Sequence, residues 1–314
     1  MLDARQLEAL AAVVDHGGFG PAAKALSITL SAVSLRIRSL EETLGQRLLV
    51  RGKHVHATPA GQALLTHVRQ VQLMEADLMA DLPGSGGGVG GGSGRRKPAP
   101  MQSMAVAVNA DSLATWFLSG VMPVMQKHRT VLDIVVDDQD HTHDALKSGE
   151  VSGCVTTLAE PMRGCLSEPL GIMRYRCVAA PEQVAQWKGP RSAEVTPHRL
   201  LAHPAIIFNR KDALQDAFLL QHFGLRGARY PRHFVPATEA FEAAIELGLG
   251  WGMVSDLQLA ARAHRPPLAE VLPGRTVDVA LYWQHWSREP PTAQRLTRAV
   301  KDAARQQLLP AVCP

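Results

Sequence analysis

Several things are scarce in this 314-residue chain, and each scarcity removes a class of function. There are four cysteines, Cys154, Cys165, Cys177 and Cys313, with no CxxC pair and no zinc-type spacing. They read as buried free thiols of a reducing compartment, not as a disulfide frame or a metal knuckle. No apolar run reaches the length of a membrane span, and no basic-then-apolar leader opens the chain, so the expected location is the cytoplasm. GxSxG and P-loop patterns are missing, which leaves no catalytic nucleophile elbow and no P-loop nucleotide cradle. His141 and His143, flanked by Asp140 and Asp144, fall two apart at a helix start and do not face one way. No metal, no cofactor and no catalytic residue is therefore expected. The net charge of +4 is only mildly basic. It permits a nucleic-acid partner without requiring one.

The informative stretch is Phe19 to Leu44. Ala22, Ala23 and Leu26 suit one short helix. Ile28, Thr29 and Leu30 form a turn. Ser31 is the expected cap of a second helix, in which Val33, Ile37, Leu40 and Leu44 recur at the helical period. The opposite face carries Ser34, Arg36, Arg38 and Ser39. One apolar side and one Ser/Arg side is the geometry of a helix that reads the major groove. Upstream, Asp3 to Asp15 is amphipathic and ends at Gly17-Gly18. Downstream, Arg47 to Arg51 and Ala57-Thr58 are the strands of a wing whose tip is residues 52–56. The first 82 residues carry as many acids as bases, so affinity has to come from a local stripe: Arg36, Arg38, Arg47, Arg51 and Lys53.

Thr58 and Pro59 start a long helix that runs to about Leu82. Leu64, Val68, Val71, Met74 and Leu78 make a narrow seam, which suggests pairing with a second copy. Two reading helices would then lie about 34 Å apart on a dyad-symmetric site. Residues 84–94 are glycine and serine apart from Val89, a flexible tether by composition that spans roughly 18 Å on average. From Met101 onward, strand and helix patterns alternate, which predicts α/β with mostly parallel sheets. The chain is long enough for two lobes, with crossings near Tyr175-Arg176 and Leu272-Arg275. The organisation expected is a winged helix-turn-helix at 1–58, a dimerisation helix at 59–82, a tether at 83–100 and a sensor at 101–314. Lobe I takes about 101–174 and 275–314, and lobe II takes 175–274.

FGPAAKALSITLSAVSLRIRSLEETLGQRLLVR followed by TPAGQALL resembles the LysR-type transcriptional regulators. VNADSLATWFL, DDQDHT, GEVSGCVTT, EPLGIMRYRCVA and LYWQHW resemble the subgroup that includes ArgP, LysG and IciA. The resemblance implies a two-lobed effector domain like the periplasmic binding proteins. It implies a basic amino acid as effector, an arginine or lysine exporter gene as target, a dimer or tetramer, and contact with RNA polymerase. Leu35 stands where the family usually has glutamine, Ser119 replaces a usual proline, and the glycine tract is longer than the family's hinge.

On this reading Thr29, Ser31, Ser34, Leu35, Arg36 and Arg38 face base edges or adjacent phosphates, and Arg51 and Lys53 hold phosphates from the wing. A basic amino acid needs a carboxylate binder and acids for its cations. Asn109, Asp111 and Ser112 follow a strand and open a helix, where free N–H groups suit a carboxylate. Asp137 and Asp138 end the next strand and suit a cation. From the second lobe, Asn209, Asp212, Thr238 and Glu239 lie at strand and helix ends, and the resemblance places the whole set around the cleft. Asp111, Asp212 and Thr238 are also ordinary capping residues. Two other readings stand beside the basic-amino-acid regulator. One is a constitutive DNA-binding or architectural protein with a silent sensor, or a regulator of this type with a different small effector. The other is an enzyme or solute-binding protein built on the lobes, disfavoured by the missing catalytic set.

Overall fold

The computed structural model describes residues 2–50, 52, 55–81, 101–136, 145–146, 149–188 and 194–311. Arg51 and Lys53, the glycine tract, Asp137 and Asp138, and His141 and His143 lie outside the described residues.

Three helices build the first unit: α1 (Ala4–Asp15), α2 (Phe19–Ala25) and α3 (Leu30–Leu44). A short hairpin follows, β1 (Leu49–Val50) with β2 (His56–Ala57), and then α4 (Pro59–Asp81). Val33, Ile37 and Leu40 of α3 are buried against Ala9, Leu10, Val13 and Ala22, as the helical period requires. Each such aliphatic side chain contributes about 1.5–3 kcal/mol. Leu44 is 37% exposed and does not continue that stripe. The cap of α3 is Thr29, not Ser31: its side chain accepts the Ala32 N–H at 3.2 Å, and the Ser31 hydroxyl lies 3.0 Å from it. The tight exit from α2 sets this register, with the Ile28 N–H donating to the Ala23 carbonyl at 3.0 Å.

The seam of α4 is divided. Val68 and, instead of Leu64, Leu65 are buried in the helix-turn-helix core, while Met74, Leu78 and Met79 are exposed. The first turns of α4 therefore belong to the first unit. Thr58 caps the helix by accepting the Gly61 N–H at 3.1 Å. Gly61 is required by sterics, since a Cβ there would stand 2.1 Å from the Leu48 carbonyl oxygen.

The second unit opens with β3 (Gln102–Val108), a helix α5 over 110–127 with a π-turn at Leu113–Phe117, β4 (Thr130–Val136) and β5 (Gly153–Thr156). Two long strands follow far apart in sequence, β6 (Cys165–Ala179) and β11 (Thr276–Trp286). Between them lie α6 (Pro181–Trp187), α7 (Pro197–Ala202), β7 (Ala205–Ile207), α8 (Leu214–Phe223), β8 (Arg232–Phe234), α9 (Thr238–Glu246), β9 (Gly252–Ser255), α10 (Asp256–Ala260) and β10 (Ala269–Glu270). The helix α11 (Pro291–Gln307) closes the fold.

The expectation of mostly parallel sheets fails. β3 is parallel to β4 and β5, and β7 to β8, but β6 pairs antiparallel with β11, β9 and β10. The reason is the connection: β6 and β11 run in opposite directions from one lobe to the other. The crossings are these long strands, paired from Cys165 opposite Trp286 to Arg176 opposite Thr276 with one register shift between Leu281 and Tyr282. The short helices α6, α7 and α10 escape periodicity because each spans two turns or fewer.

Candidate DNA-reading face and effector cleft

The outer face of α3 is held by polar ties on its flanks. Gln6 of α1 donates to the Ser39 hydroxyl at 3.0 Å, so Ser39 faces α1 and leaves the reading side. The Glu41 carboxylate accepts the Leu48 N–H at 2.8 Å and the Leu49 N–H at 3.3 Å, fixing the wing against the helix. What remains outward is Ser31, Leu35 and Arg38, one helical stripe, with Leu35 67% exposed. Leu30 is also outward, Thr29 is spent on the cap, and Ser34 and Arg36 are half-buried beside the stripe.

The cleft is built where β3 ends. Asp111, in the first turn of α5, meets Phe208, Asp212, Leu214, Thr238, Phe241, Met253 and Gln258 of the other lobe. Asp111, Asp212 and Thr238 are thus brought together as the sequence suggested. The space left among these residues is about 20 Å³, room for water and not for an amino acid. Tyr175 on the crossing strand β6 donates its hydroxyl to the Asp111 carboxylate at 2.8 Å. Burial pushes the Asp111 carboxyl up to about 6; Tyr175 opposes this, and Asp212 and Glu242 add to it by repulsion. The Tyr175 phenol is itself held well above its ordinary range by burial and by Asp111.

The sequence candidates differ in what they bond. Asp212 spends its carboxylate on the Phe208 and Leu214 N–H groups, at 3.2 and 3.0 Å. Asn209 accepts the Lys211 and Asp212 N–H groups at 2.8 and 3.1 Å, a turn-holding role. Glu239 is exposed and does not line the cleft, because α9 begins at Thr238 and turns that position outward. Asn109 Oδ1 and Ser112 Oγ are buried next to Asp111 with no partner among the described residues.

Sequence reasoning missed Tyr175, Gln258 and Glu242. Gln258 belongs to a capping box: the Ser255 side chain accepts its N–H at 3.2 Å, and its own Oε1 accepts the Ser255 N–H at 3.0 Å. That Ser-x-x-Gln spacing was visible in the sequence. Gln258 then donates to Glu242 at 3.3 Å, and Glu242 accepts from Arg262 at 2.7 Å and Arg265 at 2.8 Å. A buried acid two shells from the cleft leaves no mark in periodicity.

Residues 4–62 match the family model described as bacterial regulatory helix-turn-helix protein, lysR family, and residues 106–305 match the LysR substrate binding domain. The chain belongs to the LysR family of transcriptional regulators. Within this family it is a DNA-binding regulator of the ArgP/LysG type. It is 42% identical to the HTH-type transcriptional regulator ArgP of Pseudomonas aeruginosa over 286 residues, 91% of this chain and 90% of that protein. The crystal structure of ArgP from Mycobacterium tuberculosis superposes with a TM-score of 0.85 at 38% identity, covering 99% of this chain and 100% of that one. Full-length LysG from Corynebacterium glutamicum, solved with bound effector Arg, gives 0.78 at 33% identity over 98% of this chain and 100% of that one. This LysR-type regulator shares with them both halves of its architecture. No helix among its described residues is long and apolar enough to cross a membrane.

Proposed function

We propose that this regulator senses a basic amino acid, arginine or lysine with histidine as the weaker choice, between its two lobes. The observation that carries this is the Asp111 carboxylate, set at the cleft under Tyr175 with Asp212 and Glu242 close enough to raise its pKa. Clustered negative potential is relieved by a cation, and a cation is what a basic amino acid adds to the ordinary α-amino and α-carboxyl groups. Asn109 and Ser112 supply unspent polar atoms beside it. The C. glutamicum relative solved with arginine supports the same class. Binding then requires the lobes to part from their present 20 Å³ gap and close again on the ligand.

On this reading residues 1–58 read DNA, 59–82 join two copies, 83–100 tether, and 101–314 sense. The exposed Met74, Leu78 and Met79 are the dimer contacts, and the protein works in the cytoplasm as a homodimer or homotetramer on a dyad-symmetric operator. Arg36 and Arg38 take base edges or phosphates, and Arg51 and Lys53 take phosphates. Leu35 offers an apolar surface to a thymine methyl, so A·T pairs are favoured under it. The controlled gene encodes an exporter of the same amino acid, and RNA polymerase is the downstream partner. Neither lobe performs catalysis.

Calorimetry of the full chain against arginine, lysine, histidine and neutral amino acids tests the proposal. Equal binding, or none, across that panel sinks it. The cationic ligand needs Asp111 ionised, so affinity falls as pH drops through 6. Between pH 7.5 and pH 5 the ionised fraction, and with it the arginine affinity, declines about tenfold. A flat titration over that range removes Asp111 from the site. For the operator, Arg38→Ala is expected to weaken binding by about 1–3 kcal/mol if it reaches a base edge. Gel-shift measurements at several salt concentrations check this, and unchanged affinity at all of them excludes Arg38.

A further inference from the structure

The tether leaves the coupling of the two units as an open mechanical question, and α4 answers it. Its first half is part of the reading unit through Leu65 and Val68, and Arg69 pairs with Asp15 of α1 at 2.8 Å. Another face of α4, from Thr66 to Asp77, lies against the effector unit of the same chain. Leu73 packs on the cluster of Ala107, Leu146, Val151, Cys154 and Trp286. Gly149, at φ +72, sits on Thr66 so closely that a Cβ would come within 2.7 Å of the Thr66 Cα. Asp77, only 5% exposed, reaches the start of α11. One of its oxygens accepts the Thr292 N–H at 3.1 Å; the other accepts the Thr292 hydroxyl and Arg295 Nη2, the latter at 3.2 Å. Arg295 also donates to the Thr292 hydroxyl. Thr66, Leu73 and Asp77 are seven and four residues apart, which is one face of the helix.

We infer that Asp77, Thr292 and Arg295 form a clamp that carries the effector signal into the DNA-reading unit through α4, bypassing the glycine tether. A buried carboxylate is tolerated only while its hydrogen bonds are met. The contact therefore has two states, engaged or hydrated, and does not stretch by degrees. It also sits at the N-terminus of α11, where the helix dipole favours an acid. The far side of α11 is tied to both crossing strands. Lys301 bonds Glu168 of β6, and the Trp283 indole of β11 donates to Thr297 at 2.9 Å. β6 is the strand that presents Tyr175 to Asp111. A ligand that moves Asp111 thus acts on β6, then α11, then Asp77, through packed or hydrogen-bonded groups at each step. The ligand-dependent part of this inference rests on the effector site proposed above, while the clamp itself does not.

The test uses the full chain with Asp77→Ala, Asp77→Asn and Thr292→Val. Arginine affinity is measured by calorimetry, and operator affinity with and without saturating arginine. Amide hydrogen exchange is followed over 291–297 without ligand. In the wild type, arginine is expected to change operator affinity by at least fivefold. In Asp77→Ala that change collapses to within twofold, arginine affinity stays within twofold of wild type, and exchange over 291–297 speeds up at least tenfold. Asp77→Asn, nearly the same shape, gives an intermediate loss of coupling and replaces the alanine variant if that one does not fold. A full arginine response on DNA in the Asp77 variants overturns the coupling role. Unchanged exchange over 291–297 overturns the clamp itself. Failure of the wild type to bind arginine at all overturns the proposed effector and leaves the exchange result to decide the clamp.

Discussion

On the proposed effector site, Asp111→Asn is expected to cost the protein about 2–5 kcal/mol of arginine affinity, roughly 30-fold to several thousand-fold, because it would remove one partner of a desolvated charge pair. The amide keeps an acceptor for the Tyr175 hydroxyl, so the local shape survives. Stability moves the other way. The Asp111 carboxyl titrates near 6 in the folded chain, against an ordinary 3.8, so folding disfavours its charged form. That penalty is complete above pH 6 and disappears below about pH 3.8. Its size is on the order of 2–3 kcal/mol. At pH 7.5 the asparagine variant therefore melts at the same temperature as the wild type or higher, while calorimetry finds arginine binding lost. A variant that melts lower and still binds arginine places the ligand elsewhere.

The second large effect is on folding. Arg262→Ala is expected to destabilise the second lobe by about 3–5 kcal/mol, because it leaves Glu242 buried without its main counter-charge. Both groups are nearly sealed, at 7% and 6% exposure. The Arg262 guanidinium donates to Glu242 at 2.7 Å, to the Pro266 carbonyl at 2.9 Å, and to Glu246. Arg265 also reaches Glu242, at 2.8 Å, but from a position 43% exposed, so it compensates only in part. Whole domains are stable by about 5–15 kcal/mol, so the loss should show as a lower urea midpoint or as lost cooperativity. Replacing the pair together, Glu242→Leu with Arg262→Met, is expected to recover more than half of it, since a buried pair is worth little more than an apolar one of similar volume. If the double variant is as unstable as the single one, the loss comes from packing and not from the stranded charge.

The reading unit was the most legible part of the sequence. The helical period of Val33, Ile37 and Leu40 carries its own three-dimensional meaning, because residues that recur at 3.6 must share a face. The cap was misplaced by two residues, since Thr29, Ser31 and Ser34 are all plausible caps and only the exit of α2 chooses among them. In the effector half, the alternation of strands and helices was legible and strand direction was not. Antiparallel pairing of β6 with β11 joins residues about a hundred positions apart, and no local pattern records it. Among the residues that line the cleft, Asp111, Asp212 and Thr238 stood out in the sequence because acids and hydroxyls at element ends are suggestive. Tyr175 was missed because an aromatic inside an extended run reads first as core.

The route of β11 also has a consequence during synthesis. The first lobe is unfinished when its own β5 leaves the ribosome, because the next strand on that side of β5, paired as Tyr282 with Thr156, comes after the whole second lobe. About 120 residues separate the end of β5 from the start of β11. At 5–20 residues per second, the open edge of β5 waits roughly 6–24 s for its partner. The second lobe, made from one continuous stretch, has most of that interval to fold first. Slowed or interrupted translation before Thr276 therefore exposes a bare strand of the first lobe to neighbouring chains, even though every residue of the second lobe has already been made.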